Sequence, residues 1–176
     1  MRISFLFINV FAFSFFSFFF KIEPITPVPI EFVKYNLGAT TLQYAVSDSK
    51  KQKLVLFIHG SPGSWDAFSR YLEDPELQKE AILVSVDRHG YGGSMRGLPE
   101  LSIGNHARYI KPILDKYNLP TVVVGHSYGG PVALRLIMDY PKRITHILLL
   151  APSIDPKLEE ILWYQKVADW KLIRWI

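Results

Sequence analysis

The chain has 176 residues, 49% of them apolar, and its formal net charge of +4 is spread along the sequence. This length and apolar content suffice for one domain with a hydrophobic core. The scattered charge argues against a nucleic-acid-binding surface. Because there is no cysteine, disulfides, thiolate metal sites and a cysteine nucleophile are excluded. The sequence implies neither a metal nor an organic cofactor.

The first 21 residues form a hydrophobic segment. Residues 3–20 carry no charge and contain nine of the twelve phenylalanines, and Lys21 closes the stretch. Its length lies between that of a signal-peptide core and that of a membrane-spanning helix. Bulky phenylalanines occupy the positions where a cleavable signal needs small residues, which favours an uncleaved membrane anchor over a cleaved signal. We therefore expect a membrane-anchored or exported protein of the cell envelope.

Three further segments follow the hydrophobic start. Residues 22–29 contain three prolines, which deny helix and predict an extended spacer. Residues 30–156 are expected to form the folded core. Residues 157–176 have helical spacing with an apolar, tryptophan-rich face. They are expected to form a helix that packs on a further part of the protein.

From residue 30 onward, short apolar runs alternate with stretches of helical spacing, which is typical of parallel βαβ units. The predicted strands are 32–35, 42–46, 54–58, 81–86, 121–124 and 144–150, with a turn at 36–38 between the first two. The predicted helices are 65–72, 103–117 and 131–140. The fold class is therefore α/β, with a mostly parallel sheet covered by helices on both faces.

The strongest motif is G-x-S-x-G, formed by Gly125, His126, Ser127, Tyr128 and Gly129. It follows an apolar strand and precedes a helix, which is the setting of a nucleophile elbow. A turn this sharp strains the serine backbone and leaves no room for side chains two residues away on either side. The serine hydroxyl then lies at a helix N-terminus, where negative charge is favoured. We predict that Ser127 is a nucleophile; the alternative is an ordinary glycine-rich βα turn.

Two further loops, 59–63 and 87–94, also follow predicted buried strands. Ligands of open α/β sheets bind at the carboxyl ends of the strands, so we expect these loops to converge with the elbow on one crevice. Acyl transfer needs backbone N–H donors for the developing oxyanion. Tyr128 N–H is the first predicted donor. Ser61 N–H is the second, because Pro62 has none; a simple β-turn is the alternative for this loop.

The motifs HGSPGS, DRHGYGGS, GHSYGG and ILLLAPS, in this order, resemble the α/β-hydrolase superfamily. The resemblance is strongest to the cap-bearing branch of proline iminopeptidases, esterases and haloperoxidase-like hydrolases, and it covers about residues 30–155. It implies an eight-stranded, mostly parallel sheet, with Ser127 after the fifth strand and a cap that begins near residue 157. Epoxide hydrolases and haloalkane dehalogenases share the HG-x-P loop but carry aspartate at the elbow. Serine at this position therefore points to acyl chemistry on a small-molecule ester or amide.

The resemblance also implies an acid and a histidine base after the nucleophile. The only later histidine, His146, lies inside the predicted strand 144–150, and the other four precede Ser127. His89 is the upstream histidine nearest the expected crevice and is the alternative base. Asp155 matches an acid position after the sixth strand. The competing interpretation of Asp155 is a helix N-cap before Pro156.

The sequence thus favours a serine hydrolase that is inactive or incomplete by itself, as expected of a C-terminally truncated family member without its catalytic histidine. A second polypeptide could pair with the exposed edge of the strand 144–150 and complete the sheet and the triad. The alternative function is a non-catalytic binding or interaction module on a degenerate hydrolase fold. In that case Ser127→Ala should change nothing.

Overall fold

The computed structural model describes residues 29–38, 40–47, 50–94, 100–155 and 157. The predicted hydrophobic segment, nearly all of the proline-rich spacer and the predicted helix after Lys157 lie outside these residues. The corresponding domain boundaries therefore remain predictions. Among the helices that are described, none has both the length and the apolarity needed to cross a bilayer.

A six-stranded sheet forms the centre of the described chain. Its strands are β1 (Ile30–Leu37), β2 (Thr40–Ser47), β3 (Leu54–Ile58), β4 (Ile82–Asp87), β5 (Thr121–His126) and β6 (Ile144–Leu150). Their order across the sheet is β1-β2-β4-β3-β5-β6. Strand β2 is antiparallel to both of its neighbours, whereas β4, β3, β5 and β6 run parallel. The predicted mostly parallel α/β sheet is confirmed.

In the part of the chain that the structure describes, four α-helices connect the strands: α1 (Ser69–Leu72), α2 (Pro75–Glu80), α3 (Ile103–Tyr117) and α4 (Gly129–Asp139). A 3-10 turn, Trp65–Phe68, leads into α1, and a second one, Gly92–Ser94, follows β4. The prediction for α3 is confirmed at both ends. The sequence analysis missed α2, although Asp74 caps it by accepting the N–H groups of its first turn.

The predicted turn at 36–38 is wrong in part. Asn36 and Leu37 still belong to β1 and pair with Thr41 and Thr40 of β2. The chain reverses only at Gly38, whose φ of 74° lies in the left-handed region that glycine adopts without strain. The hairpin is therefore tighter than the sequence pattern indicated.

Apolar side chains fill both faces of the sheet. Along β3, Leu54, Leu56 and Ile58 face one way and pack with residues of α3 and α4. Phe57 points to the opposite face, where Phe68 and the α1 region cover it. This alternation is the period of two of a β-strand, and burial on both faces explains the continuous apolar run. Because β4, β3, β5 and β6 are parallel, their carboxyl ends lie on the same side of the sheet. The candidate site lies at these ends.

Candidate active site

Ser127 occupies the sharp turn between β5 and α4. Its φ of 49° lies in the left-handed region, which costs a non-glycine residue roughly 1–3 kcal/mol. Three backbone hydrogen bonds hold the turn. Ser127 N–H donates to Leu150 O at 3.0 Å, and Ser127 O accepts the N–H groups of Gly130 at 2.9 Å and Ser153 at 3.1 Å. The backbone conformation is the strained one that the elbow motif predicts.

The two motif glycines are required by close backbone approaches. A Cβ atom at Gly125 would lie 2.5 Å from the carbonyl oxygen of Gly129. A Cβ atom at Gly129 would lie 2.1 Å from the carbonyl oxygen of Ile58 at the end of β3. Both distances are far below van der Waals contact. A side chain at Gly125 would therefore distort the elbow itself, and a side chain at Gly129 would force the elbow away from β3.

The loop 59–63 lies directly against the elbow. A Cβ atom at Gly60 would be 2.9 Å from Ser127 Cβ, and the Ser61–Pro62 peptide bond is cis. Across the described ranges, the backbone N–H groups of Ser61 and Tyr128 have no recorded acceptor. Free N–H groups beside a nucleophile are what an oxyanion site needs, and the assignment of these two donors stays a prediction.

The hydroxyl of Ser127 shares a hydrogen bond of 3.2 Å with the hydroxyl of Ser153, in the loop after β6. Within the part of the chain that the structure describes, no histidine or carboxylate is hydrogen-bonded to Ser127. The sequence analysis did not single out Ser153. The only signal for it is its place in the segment that follows the sixth strand.

The alternative base, His89, is half-buried and points to other partners. Thr40 Oγ1 lies 3.4 Å from both ring nitrogens of His89. The ring of Tyr109 packs against its face edge-on, with ring centres 4.8 Å apart. The proposed role of His89 as base stays a prediction. His146 lies in β6 opposite Val122, as expected.

His59 is fully buried and neutral. Its Nδ1 lies 2.6 Å from Gly60 O, and its Nε2 lies 3.1 Å from the backbone N of Arg88. Because the carbonyl can only accept and the N–H can only donate, Nδ1 carries the proton and Nε2 accepts. Burial lowers the pKa of His59 to about 4. Both ring nitrogens are thus occupied in holding the loop 59–63.

Arg88 is a buried cation beside the loop 59–63, with 1% of its surface exposed. Its Nε donates to His59 O at 3.0 Å and its Nη2 donates to Gly60 O at 2.7 Å. The guanidinium carbon lies 4.5 Å from the ring centre of Tyr91 and 4.7 Å from that of Tyr128. Burial lowers the pKa of Arg88. Arg88 therefore links the loop after β4 to the loop 59–63 after β3.

His106 lies on the first turn of α3 beside Arg88. Its Nε2 donates to Glu100 O at 2.9 Å, and its ring packs edge-on against Tyr128, with centres 5.9 Å apart. Its Nδ1 is buried without a partner among the described atoms. Burial, reinforced by the charge of Arg88, lowers the pKa of His106 to about 4. No motif in the sequence marks this residue.

Asp87, at the end of β4, is a buried carboxylate that ties three segments together. It accepts hydrogen bonds from Gln43 Nε2 at 2.9 Å, Trp65 N at 2.8 Å and Gly93 N at 2.8 Å. This carboxylate therefore has a structural role, since it holds the loop 87–94 against β2 and the turn at Trp65. In the described ranges, no group of three or more histidine or carboxylate side chains is placed to hold a metal ion.

Asp155, the candidate acid, is exposed after β6. Its Oδ1 accepts the backbone N–H of Lys157 at 2.9 Å, which is the contact that the capping interpretation predicts. Among the described contacts of Asp155 there is none with a histidine. Its role as the acid of a triad stays a prediction.

Residues 53–172 match the family model of the α/β hydrolase fold, and the chain belongs to this family. It is 35% identical over 99 residues to a dihydrolipoyllysine-residue acetyltransferase component of an acetoin cleaving system from Cupriavidus necator. That match covers 56% of this chain and 26% of the relative. It is 26% identical over 122 residues to epoxide hydrolase 4 of Mus musculus, which covers 68% of this chain and 33% of the relative.

Solved structures show the same fold. A haloalkane dehalogenase from Agrobacterium tumefaciens superposes with a TM-score of 0.60 at 22% identity, covering 70% of this chain and 41% of the other. An N-acyl homoserine lactonase superposes with a TM-score of 0.63 at 22% identity, covering 70% and 46%. The chain thus spans between a quarter and a half of the length of the curated relatives it matches.

Proposed function

We propose that this chain carries the nucleophile and the oxyanion donors of a serine hydrolase that cleaves a small-molecule ester or amide. The observation that carries the proposal is the conformation of Ser127. Ser127 is held at φ 49° between two obligatory glycines, and among the described residues the nearby N–H groups of Ser61 and Tyr128 have no acceptor. This arrangement suits attack on a carbonyl carbon. An ordinary βα turn has no need of this strain.

The identity of residue 127 favours one of the several reactions that proteins with this fold catalyse. The fold alone does not, since relatives include an epoxide hydrolase and solved structures include a dehalogenase and a lactonase. Epoxide hydrolases and haloalkane dehalogenases carry aspartate at the elbow, where this chain has serine. A serine nucleophile forms an acyl intermediate, so an ester or amide fits the site better than an epoxide or a haloalkane does.

The reaction begins with attack of Ser127 Oγ on the substrate carbonyl carbon, while the hydroxyl proton passes to a general base. The carbonyl oxygen becomes an oxyanion, which accepts hydrogen bonds from Ser61 N–H and Tyr128 N–H. As this intermediate collapses, the base gives its proton to the leaving group, which departs as the alcohol or amine and leaves an acyl ester on Ser127. Water then hydrolyses the ester and restores the free hydroxyl.

This mechanism needs a general base, and no basic side chain contacts the hydroxyl of Ser127 among the described residues. The hydroxyl of Ser127 meets Ser153, which is not basic, and His59 uses both ring nitrogens elsewhere. We therefore propose that the chain of 176 residues reacts slowly by itself. Removing a triad member leaves serine hydrolases with a residual rate several orders of magnitude below the full one.

The test is to treat the full chain with a fluorophosphonate probe and to measure its intact mass over time. Ser127→Ala and Ser153→Ala are the matched variants, since the two hydroxyls are neighbours and both substitutions remove one oxygen. We expect one adduct on the wild type and on Ser153→Ala, and none on Ser127→Ala. A folded wild-type chain that gains no mass would contradict the proposal and leave the non-catalytic binding module as the better description.

A further inference from the structure

We infer that Arg88 is a positioning residue of the oxyanion hole, because its guanidinium fixes the peptide unit between Gly60 and Ser61 with the Ser61 N–H directed at the site. The inference rests on the proposed function, since it concerns the Ser61 donor. It adds a residue that lies outside the elbow and outside the loop 59–63. Arg88 does not touch the substrate in this account and acts through the backbone it holds.

The first step of the argument is the geometry of one peptide unit. Gly60 O and Ser61 N–H belong to the same planar group, and in a trans peptide they point in opposite directions. Gly60 O accepts two hydrogen bonds, from Arg88 Nη2 at 2.7 Å and from His59 Nδ1 at 2.6 Å. With the carbonyl held on the arginine side, the N–H of Ser61 must face away from Arg88.

The second step is how close that peptide lies to Ser127. The Cα of Gly60 faces Ser127 closely enough that an added Cβ would be 2.9 Å from Ser127 Cβ. The N–H of Ser61 has no recorded acceptor among the described residues. The orientation that Arg88 imposes therefore leaves this donor free beside the predicted nucleophile.

The third step concerns charge. Arg88 is 1% exposed, and in the described ranges none of its contacts is with a carboxylate. Its neighbours are the two backbone carbonyls, His106 Nε2 at 3.5 Å and the rings of Tyr91 and Tyr128. A cation bound to a carbonyl oxygen polarises the peptide and makes its N–H a stronger donor. A carboxylate beside the guanidinium would cancel much of this effect. The uncompensated charge thus acts on the peptide that supplies the donor.

The fourth step links Arg88 to the second predicted donor. Its guanidinium carbon lies 4.7 Å from the ring centre of Tyr128, whose backbone N–H is the other oxyanion donor. Tyr128 Oη donates to Leu101 O at 3.1 Å, so its ring is held at both ends. One buried cation therefore binds the carbonyl oxygen of the peptide that carries the Ser61 N–H and also packs on the ring of Tyr128.

A purely structural arginine would also be buried and hydrogen-bonded, so the test needs readouts that stability alone does not move. The variants are Arg88→Gln, which removes the charge, and Arg88→Lys, which keeps the charge but loses the two-pronged donor. Arg70→Gln is the matched control, since Arg70 is exposed on α1. The readouts are the amide proton shift of Ser61 in protein with 15N-labelled serine, and the rate of Ser127 phosphonylation.

We expect Arg88→Gln to move the Ser61 amide proton upfield and to slow the covalent step about 30-fold, with little change in probe binding before that step. Loss of an oxyanion donor itself costs about 100-fold to 1,000-fold. For Arg88→Lys, the Ser61 amide shift and the phosphonylation rate should lie between those of the wild type and those of Arg88→Gln. For Arg70→Gln, both should equal the wild-type values. If Arg88→Gln does not fold, Arg88→Lys carries the same two measurements.

A folded Arg88 variant with the wild-type Ser61 shift and the wild-type rate would overturn the inference. The two proposals fail separately. A wild-type chain that is never phosphonylated contradicts the proposed function, and the Ser61 amide shift then decides the role of Arg88 by itself.

Discussion

Gly60 and Ser127 come from loops at the ends of neighbouring strands, β3 and β5, and they meet so closely that a methyl group at Gly60 would be 2.9 Å from Ser127 Cβ. The same methyl group would lie 3.1 Å from His126 Nδ1. The loop 59–63 can therefore lie this close to the elbow only because residue 60 has no side chain.

Gly60→Ala should separate the loop from the elbow and slow phosphonylation of Ser127 at least tenfold, because the Ser61 N–H moves with the loop. The matched control is Gly104→Ala in α3, where an added Cβ meets nothing closer than Ser102 Oγ at 3.7 Å. Gly104 is the second residue of α3, so the control should fold like the wild type and be labelled at the wild-type rate. Equal labelling rates for the two variants would show that the contact at Gly60 does not matter.

Asp87→Asn should lower the free energy of unfolding by about 3 kcal/mol. The three donors around this carboxylate would face an amide group that brings two more N–H bonds into a buried site. The measurement is urea denaturation at neutral pH. Asp115→Asn is the control, since its ion pair with Lys111 is exposed and should contribute less than about 1 kcal/mol. Similar losses in the two variants would contradict the structural role of Asp87.

Stability should fall as the pH drops through the range from about 6.5 to about 4. Burial lowers the pKa of His59 and of His106 to about 4, whereas both titrate near 6.5 when unfolded. Within this range the unfolded chain binds more protons than the folded one, so the free energy of unfolding is highest above pH 6.5. The slope approaches about 1.4 kcal/mol per pH unit for each histidine.

Denaturation at several pH values between 7.5 and 4.5 checks this dependence. His106→Gln removes one titrating group and keeps a side-chain N–H donor, so it should flatten the slope. Met138→Leu is the control, because Met138 is exposed on α4 and has no titrating group, and it should keep the wild-type slope. A wild-type free energy of unfolding that is constant over this range would contradict the buried neutral state of these histidines.

The parts of the fold that the sequence predicted are those that local physics determines. Continuous apolar runs such as Leu54–Ile58 become strands buried on both faces, and the helical period of Ile103–Tyr117 gives α3 without error. The elbow was predictable for a steric reason, since its turn has no room for a Cβ at Gly125 or Gly129.

The parts that the sequence analysis missed depend on contacts between distant segments. Arg88, after β4, donates hydrogen bonds to the carbonyls of His59 and Gly60, after β3. The spacing of apolar residues along the sequence does not indicate a contact between these two loops. The hydrogen bond between Ser127 and Ser153 likewise forms only because β5 and β6 are neighbours in the sheet. Short α2 was missed because its six residues are too few to show a period, although Asp74 and Pro75 mark its start.

The central claim is that Ser127 is a nucleophile, and phosphonylation of the full chain followed by peptide mapping tests it most directly. We predict a single phosphonyl group on the peptide that contains Ser127, formed slowly, retained in Ser153→Ala and absent in Ser127→Ala. The claim is contradicted if the folded chain takes up no probe, or if the adduct maps to another residue and survives Ser127→Ala.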